Sequence, residues 1–338
     1  MENILFHLGY PKCSSTTIQR SFFEKNDHIF YGGLGINDNI SYCNNDIEFI
    51  FECLLKYAKH TFYYNHREWA KETVKALLDK VSKNKKIVFS SEVLSVSFTG
   101  QILDTHQKLE RIRELFEGYN INFLVVIRNQ LDLIQSLYKE FVKMGLTISY
   151  SEFIKYIWIY QDRSILNELD YADTIDIIKT YFPASNIKIM FFEDITKNVK
   201  TINTELSDML GIPEQNMEIN NDNPSLSDSQ AYHLLQYNLK FRLGETMMDN
   251  FANHRNRVLI HRLNPLALND EIFGNVLAKR KALAETENMP PIPNATSLLF
   301  ELNASALSSY NQMNAFYKKT NQRLKEKLHI TLPDAYTK

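Results

Sequence analysis

I-L-F-H-L-G-Y-P-K-C-S-S-T-T-I-Q, Ile4 to Gln19, is the stretch from which the fold of this chain is read. Ile4–Leu8 is a short, almost continuous apolar run, the pattern of a strand covered on both faces rather than of one with a wet side. A turn containing Gly9 and Pro11 follows, then Lys12, Cys13 and four consecutive hydroxyl residues, Ser14, Ser15, Thr16 and Thr17, that open a helix. Backbone N–H groups at a helix start have no intrahelical partner and carry the positive end of the helix dipole, so this turn is suited to an anion. Lys12 adds a positive charge and the hydroxyls add donors. The residues alone leave two readings open, an anion cradle and an ordinary helix start capped by serine. G-x-x-x-x-G-K-[ST] is absent, which separates the turn from a Walker A loop.

Three further runs match the first: Ile87–Phe89, Ile121–Ile127 and Ile187–Phe192. Between them lie segments of helical period, Arg67–Val81, Lys108–Phe116 and Ala172–Phe182. Strands alternating with helices imply βαβ units, right-handed crossovers and a mainly parallel sheet. Beyond about residue 196 the pattern is helix upon helix, broken by N-N-D-N-P-S-L-S-D (Asn220–Asp228) and M-P-P-I-P-N (Met289–Asn294). Ser227 or Asp228 is placed to cap a helix through Leu234, Leu235 and Leu239, and an amphipathic helix is expected over Ser309–Leu328. No sharp break in composition marks a linker. The expectation is one domain over 1–338, with an α/β core over 1–195 and a mostly helical part over 196–338.

The third run ends in Arg128, at the carboxyl edge of a strand, where open α/β sheets bind their ligands. Ser136 comes eight residues later, placed by helical period on a polar side with Asp132, Lys139 and Glu140. Arginine and serine so spaced can grip a phosphate, while a surface ion pair and a solvated serine are the plainer reading. Glu92, in S-S-E-V-L-S (Ser90–Ser95), follows the second strand at the same edge. It is read either as a base for an acceptor hydroxyl or as a helix-capping carboxylate. His7 is a second candidate base, against a hydrogen-bonded core role, and His106 a third on a helix surface. H-R-N-R-V-L-I-H-R, with Arg255, Arg257, His261 and Arg262, reads first as a solvated basic face. Tyr156, Trp158 and Tyr160 read as parts of a packed helix.

Composition narrows the classes. Among 338 residues, 44% are hydrophobic and 23% charged, the balance of a globular protein. With 38 basic against 40 acidic residues, nothing pulls the chain as a whole toward nucleic acid. The three cysteines, Cys13, Cys43 and Cys53, form neither a metal-type pair nor a disulfide framework. No apolar run approaches the roughly 20 residues of a membrane span, and no leader pattern opens the chain. A cytoplasmic protein is the expectation; the oligomeric state is not legible.

Taken together, the two anion motifs resemble those of the sulfotransferases that use 3′-phosphoadenosine 5′-phosphosulfate (PAPS), especially bacterial, carbohydrate-type members. In that family a loop of the form P-K-x-G-[ST]-[ST] holds the 5′-phosphosulfate; here it reads Pro11-Lys12-Cys13-Ser14-Ser15-Thr16. An arginine after a central strand and a serine eight positions on hold the 3′-phosphate, matched by Arg128 and Ser136. F-F-E-D (Phe191–Asp194), N-P-S-L-S (Asn223–Ser227), Y-K-K-T-N-Q-R-L (Tyr317–Leu324) and the segment near Tyr336 continue the likeness in order.

The resemblance implies a P-loop-like, three-layer α/β fold and metal-free sulfuryl transfer to a hydroxyl, less readily an amine, of a glycan or glycolipid. Lys12 would neutralise charge on the bridging and leaving oxygens, and Cys13, Ser14, Ser15, Thr16 and Thr17 would line the 5′ site. One position departs from the pattern. Ser14 replaces the usual glycine, and the expectation is that the loop does not need a left-handed residue there, so that the hydroxyl simply adds a donor. A nucleotide-dependent kinase or NTPase would want a Walker A lysine and a metal-binding aspartate at a strand end. A non-catalytic, glycan- or partner-binding member of the fold is the other alternative, kept open by Ser14.

Overall fold

The computed structural model describes residues 3–34, 43–81, 83–96, 103–143, 146–161, 164–214, 225–241 and 289–337. Among the described residues, five strands form one sheet: β1 (Asn3–Gly9), β2 (Ile29–Leu34), β3 (Lys86–Ser90), β4 (Asn120–Ile127) and β5 (Ile187–Phe191). Their order is β2-β3-β1-β4-β5, and every pairing is parallel. Ile4 stands opposite Ile87 on one side and Ile121 on the other. The helices are α1 (Ser15–Ile18), α2 (Asn45–Phe49), α3 (His60–Leu78), α4 (Thr105–Leu115), α5 (Gln130–Lys143), α6 (Tyr150–Ile159), α7 (Ile165–Glu168), α8 (Tyr171–Tyr181), α9 (Phe192–Lys197), α10 (Val199–Leu210), α11 (Asp228–Phe241), α12 (Ala295–Leu299) and α13 (Ala304–Leu328). This is the expected mainly parallel α/β architecture.

The four apolar runs become β1, β3, β4 and β5 because strands flanked on both sides need no polar alternation. Their core is aromatic: Phe6 is fully buried, with ring centroids 5.5 Å from Phe89, 5.1 Å from Phe116 and 6.2 Å from Phe123. β2 has no counterpart in the sequence reading. It carries Gly32 and Gly33, which look like a turn, and its register with β3 shifts between Tyr31 and Leu34. The glycine at 32 is steric: a Cβ there would stand 2.2 Å from the Phe89 ring.

Two compact units interleave along the chain. The first comprises Met1–Asn129, Glu168–Asp222 and Thr320–Lys338; the second comprises Gln130–Asn167 and Asn223–Lys319. The units do not part near residue 195, where strands give way to helices. α10 stays with the sheet-bearing unit although it follows that point, while α5 and α6 precede it and belong to the second. In the second unit, α11 packs on α5 and α12. Its start is set by Ser227, whose hydroxyl accepts from the Gln230 amide while the Gln230 side chain accepts from the Ser227 N–H, a reciprocal cap.

The chain leaves β1 for β2 at one edge, returns inward to β3, then crosses to β4 and β5 on the other side, so the connections leaving β1 and β4 run in opposite directions. The crevice beyond the carboxyl ends of β1 and β4 is therefore the topological switch point, where such sheets take their ligands.

Candidate active site

β1 ends at Gly9 and delivers the chain to the lysine turn. Tyr10 anchors the turn from below: it is fully buried, its hydroxyl lies 2.8 Å from Thr174 Oγ1, and its ring meets Tyr171 at 4.8 Å. Lys12 and Ser14 both adopt left-handed backbone, with φ of 63° and 61°. Left-handed residues in a turn that opens a helix are characteristic of backbone anion nests. This corrects the expectation for Ser14: the loop does need the conformation glycine adopts freely, and serine holds it at a cost of about 1–2 kcal/mol. Nor does Ser14 act as an ordinary cap, since its side chain makes no capping hydrogen bond to α1. Cys13, between the two, is fully buried, and burial pushes its thiol well above the usual range, so it is neutral.

Gly9 is a site residue the sequence reading passed over. A Cβ there would fall 2.1 Å from Ser15 Oγ and 3.4 Å from Glu92 Cγ, so only glycine lets the β1 end, the hydroxyl run and the glutamate close up. Ser95 is another: buried, it donates its hydroxyl to the Gly9 carbonyl at 3.0 Å. The signal was present in the spacing of Ser90–Ser95, but nothing local says which serine reaches back across β3 to β1.

Glu92 opens a short 3-10 turn, Glu92–Leu94, immediately beyond β3. Because β3 lies beside β1 and parallel to it, the carboxyl arrives at the same sheet edge as the lysine turn. Burial pushes its pKa from the ordinary 4.5 up to about 7, against a hydrogen bond from Ser15 and the charge of Lys12, which both pull it down. A carboxyl so poised exchanges protons near neutrality. His7 is placed differently. It is fully buried in β1, its Nδ1 lies 2.7 Å from Ser90 Oγ, and Ser90 also accepts from Gln19 Nε2 at 2.7 Å. Burial drops the imidazole to about 3, so it is neutral, and its Nε2 has no partner among the described residues. His106 is exposed on α4, against the Tyr181 ring.

Arg128 follows β4, the other neighbour of β1. Its Nη1 donates to the Lys12 carbonyl at 3.1 Å, and its guanidinium sits 4.2 Å from the centre of the Phe192 ring. Tyr171 donates its hydroxyl to the Arg128 carbonyl at 2.7 Å. No carboxylate among the described residues pairs with the guanidinium, so the surface ion pair is not what this arginine forms. Lys12, Glu92 and Arg128 thus converge at one edge, from the ends of three adjacent strands. Ser136 lies on α5 in the second unit and is buried, which corrects its placement on a solvated polar side. The basic stretch of Arg255, Arg257, His261 and Arg262 lies outside the described residues.

A family model for the sulfotransferase domain matches residues 5–253. The chain belongs to that family, and with it to the enzymes of sulfuryl transfer. Among solved structures it is similar to a sulfotransferase from Alicyclobacillus acidocaldarius, at 14% identity over 70% of this chain and 95% of that one, with a TM-score of 0.44. It is also similar to mouse sulfotransferase SULT7A1 complexed with PAP, at 12% identity over 64% of this chain and 60% of that one, with a TM-score of 0.34. No curated protein matches the sequence. No helix among the described residues is long and apolar enough to cross a membrane.

Proposed function

We propose that the chain transfers the sulfuryl group of PAPS to a hydroxyl, less readily an amine, of a glycan or glycolipid. The observation that carries this reading is the 3.1 Å hydrogen bond from Arg128 to the Lys12 backbone carbonyl, which ties the guanidinium at one strand end to the lysine- and hydroxyl-bearing turn at its neighbour's end. That donor set suits a polyanion: a guanidinium paired with no carboxylate among the described residues, an ammonium, and left-handed backbone at a helix start. The sugar class of the acceptor is carried over from the family resemblance.

When bound, PAPS supplies an activated sulfuryl group on a good phosphate leaving group. Lys12 neutralises negative charge growing on the leaving oxygen, the electrostatic contribution that commonly dominates such transfers. Thr16 and Thr17, with Cys13, Ser14 and Ser15 beside them, take the 5′ side. Arg128 takes the 3′-phosphate; Ser136 joins it in this reading on the strength of sequence spacing. Glu92 accepts the proton of the acceptor hydroxyl as the new oxygen–sulfur bond forms. Its pKa near 7 makes it competent for that, whereas His7, buried and neutral, is assigned to the core.

The test compares thermal stabilisation by adenosine 3′,5′-bisphosphate with that by ATP plus magnesium, and follows radiolabelled sulfate transfer to an oligosaccharide panel. The bisphosphate should stabilise and ATP should not. Arg128→Ala should weaken bisphosphate binding by about 1.5–3 kcal/mol, the worth of a charge-assisted contact, and Lys12→Ala should abolish transfer. Stabilisation by ATP alone, or transfer undiminished in Lys12→Ala, overturns the assignment.

A further inference from the structure

Arg128 is held from behind by a distant part of the chain. Residues 329–337 follow α13 and end in a short 3-10 turn, Asp334–Tyr336. Tyr336 is almost fully buried, its ring 5.5 Å from Phe191 at the end of β5. Its hydroxyl donates to Glu193 Oε2 at 3.0 Å, and the other oxygen of the same carboxylate accepts from the Asn129 N–H at 2.9 Å. Asn129 returns the connection by donating its side-chain amide to the Ala335 carbonyl at 2.6 Å, and Asn321 donates to the Tyr336 carbonyl at 3.1 Å. The loop of bonds is closed: Tyr336 to Glu193, Glu193 to Asn129, Asn129 to Ala335. One residue before Asn129 is Arg128, and one residue before Glu193 is Phe192, the ring against which the guanidinium lies.

From this we infer that Tyr336 is a positioning residue for the arginine clamp. Through a single carboxylate, its hydroxyl fixes both the backbone that carries Arg128 and the aromatic face that supports it. The carboxylate has two oxygens and uses one for each partner, so removing the phenol leaves half-buried Glu193 without one of its two donors and free to turn. The guanidinium then loses its register with the Lys12 carbonyl, although no atom that meets a ligand has been altered. A tyrosine serving only the core would need its ring alone, which Phe191 already covers.

The inference rests on the proposed binding of a 3′-phosphorylated nucleotide at Arg128, and the experiment separates the two. Titration calorimetry with adenosine 3′,5′-bisphosphate is run on the full chain as wild type, Tyr336→Phe, Asn129→Ala and Arg128→Ala, alongside the KM for the acceptor. Tyr336→Phe removes one hydrogen bond to a charged group and is expected to weaken the bisphosphate about tenfold, with the acceptor KM unchanged. Asn129→Ala, which breaks the same loop elsewhere, should do likewise and stands in if the tyrosine variant does not fold. Wild-type affinity in these variants while Arg128→Ala loses binding overturns the positioning role. A parallel rise in acceptor KM, the mark of general loosening, overturns it too. Unchanged affinity in Arg128→Ala overturns the nucleotide reading itself.

Discussion

Replacing Glu92 by glutamine should make this protein more stable and less active at once, with the gain in stability building up between about pH 4.5 and 7. The pKa of the folded state is raised, from 4.5 to about 7, so the folded chain holds this proton more tightly than the unfolded chain does. Below 4.5 both states are protonated and the carboxyl is tolerated. From about 4.5 upward the unfolded chain has released the proton while the folded state still holds it, so the stability that the neutral form contributes falls steadily and is gone once pH has passed 7. A difference of about 2.5 pH units corresponds to about 3 kcal/mol, an upper figure because the residue keeps some solvent contact. Glutamine has the shape of the protonated acid and never ionises, so it escapes the loss. Urea unfolding of the wild type and Glu92→Gln, at about pH 5 and about pH 8, measures the difference directly. The variant's advantage should grow by up to about 3 kcal/mol between the two, while shifts from all other groups cancel. A gap that does not change with pH would refute the account of Glu92 as a carboxyl stranded by burial. In the same samples, sulfuryl transfer by the wild type should rise as pH passes through 7, and the variant should lose about 10²–10⁴-fold.

The turn itself offers two further checks. Ser14→Gly relieves a left-handed serine at φ 61°, and should raise stability in thermal unfolding. The net gain is about 0.5–1 kcal/mol once the entropy of the new glycine is set against the relieved strain, with the lysine turn still functional; destabilisation would mean that the serine hydroxyl matters more than its backbone. Gly9→Ala drives a methyl to within 2.1 Å of Ser15 Oγ, and should cost about 1–3 kcal/mol and most of the activity, because the displaced serine carries Glu92 with it. Wild-type transfer by Gly9→Ala would show that the closeness of strand end and hydroxyl run has no catalytic consequence.

Much of the scaffold was legible because burial on both faces leaves a plain mark. The runs at Ile4, Ile87, Ile121 and Ile187 became strands within a residue or so at most ends, and the helix expected from Ser309 begins earlier, at Ala304, and ends where expected, at Leu328. β2 left no such mark, since a glycine required by the Phe89 ring, at 32, and one required by a positive φ, at 33, look identical to the glycines of a turn. The conformation of Ser14 was misjudged for a related reason: a dihedral is set by the neighbours that close around a loop, and a hydroxyl side chain gives no sign of it. Ser136 was placed on the polar side by helical period, yet period says only which residues share a face, not what covers that face.

The chain's residues alone were enough to determine a parallel sheet, two cationic motifs at strand ends and a glutamate after a third, because apolar runs, turn residues and charges are local properties. Tertiary structure decided that Lys12 and Arg128, 116 residues apart, meet at 3.1 Å, and that Glu92 titrates near 7 instead of 4.5. Distances of that kind come from the order in which strands pair, and a proton affinity comes from the water excluded around a group. Neither is a property of any segment until the rest of the molecule has packed against it.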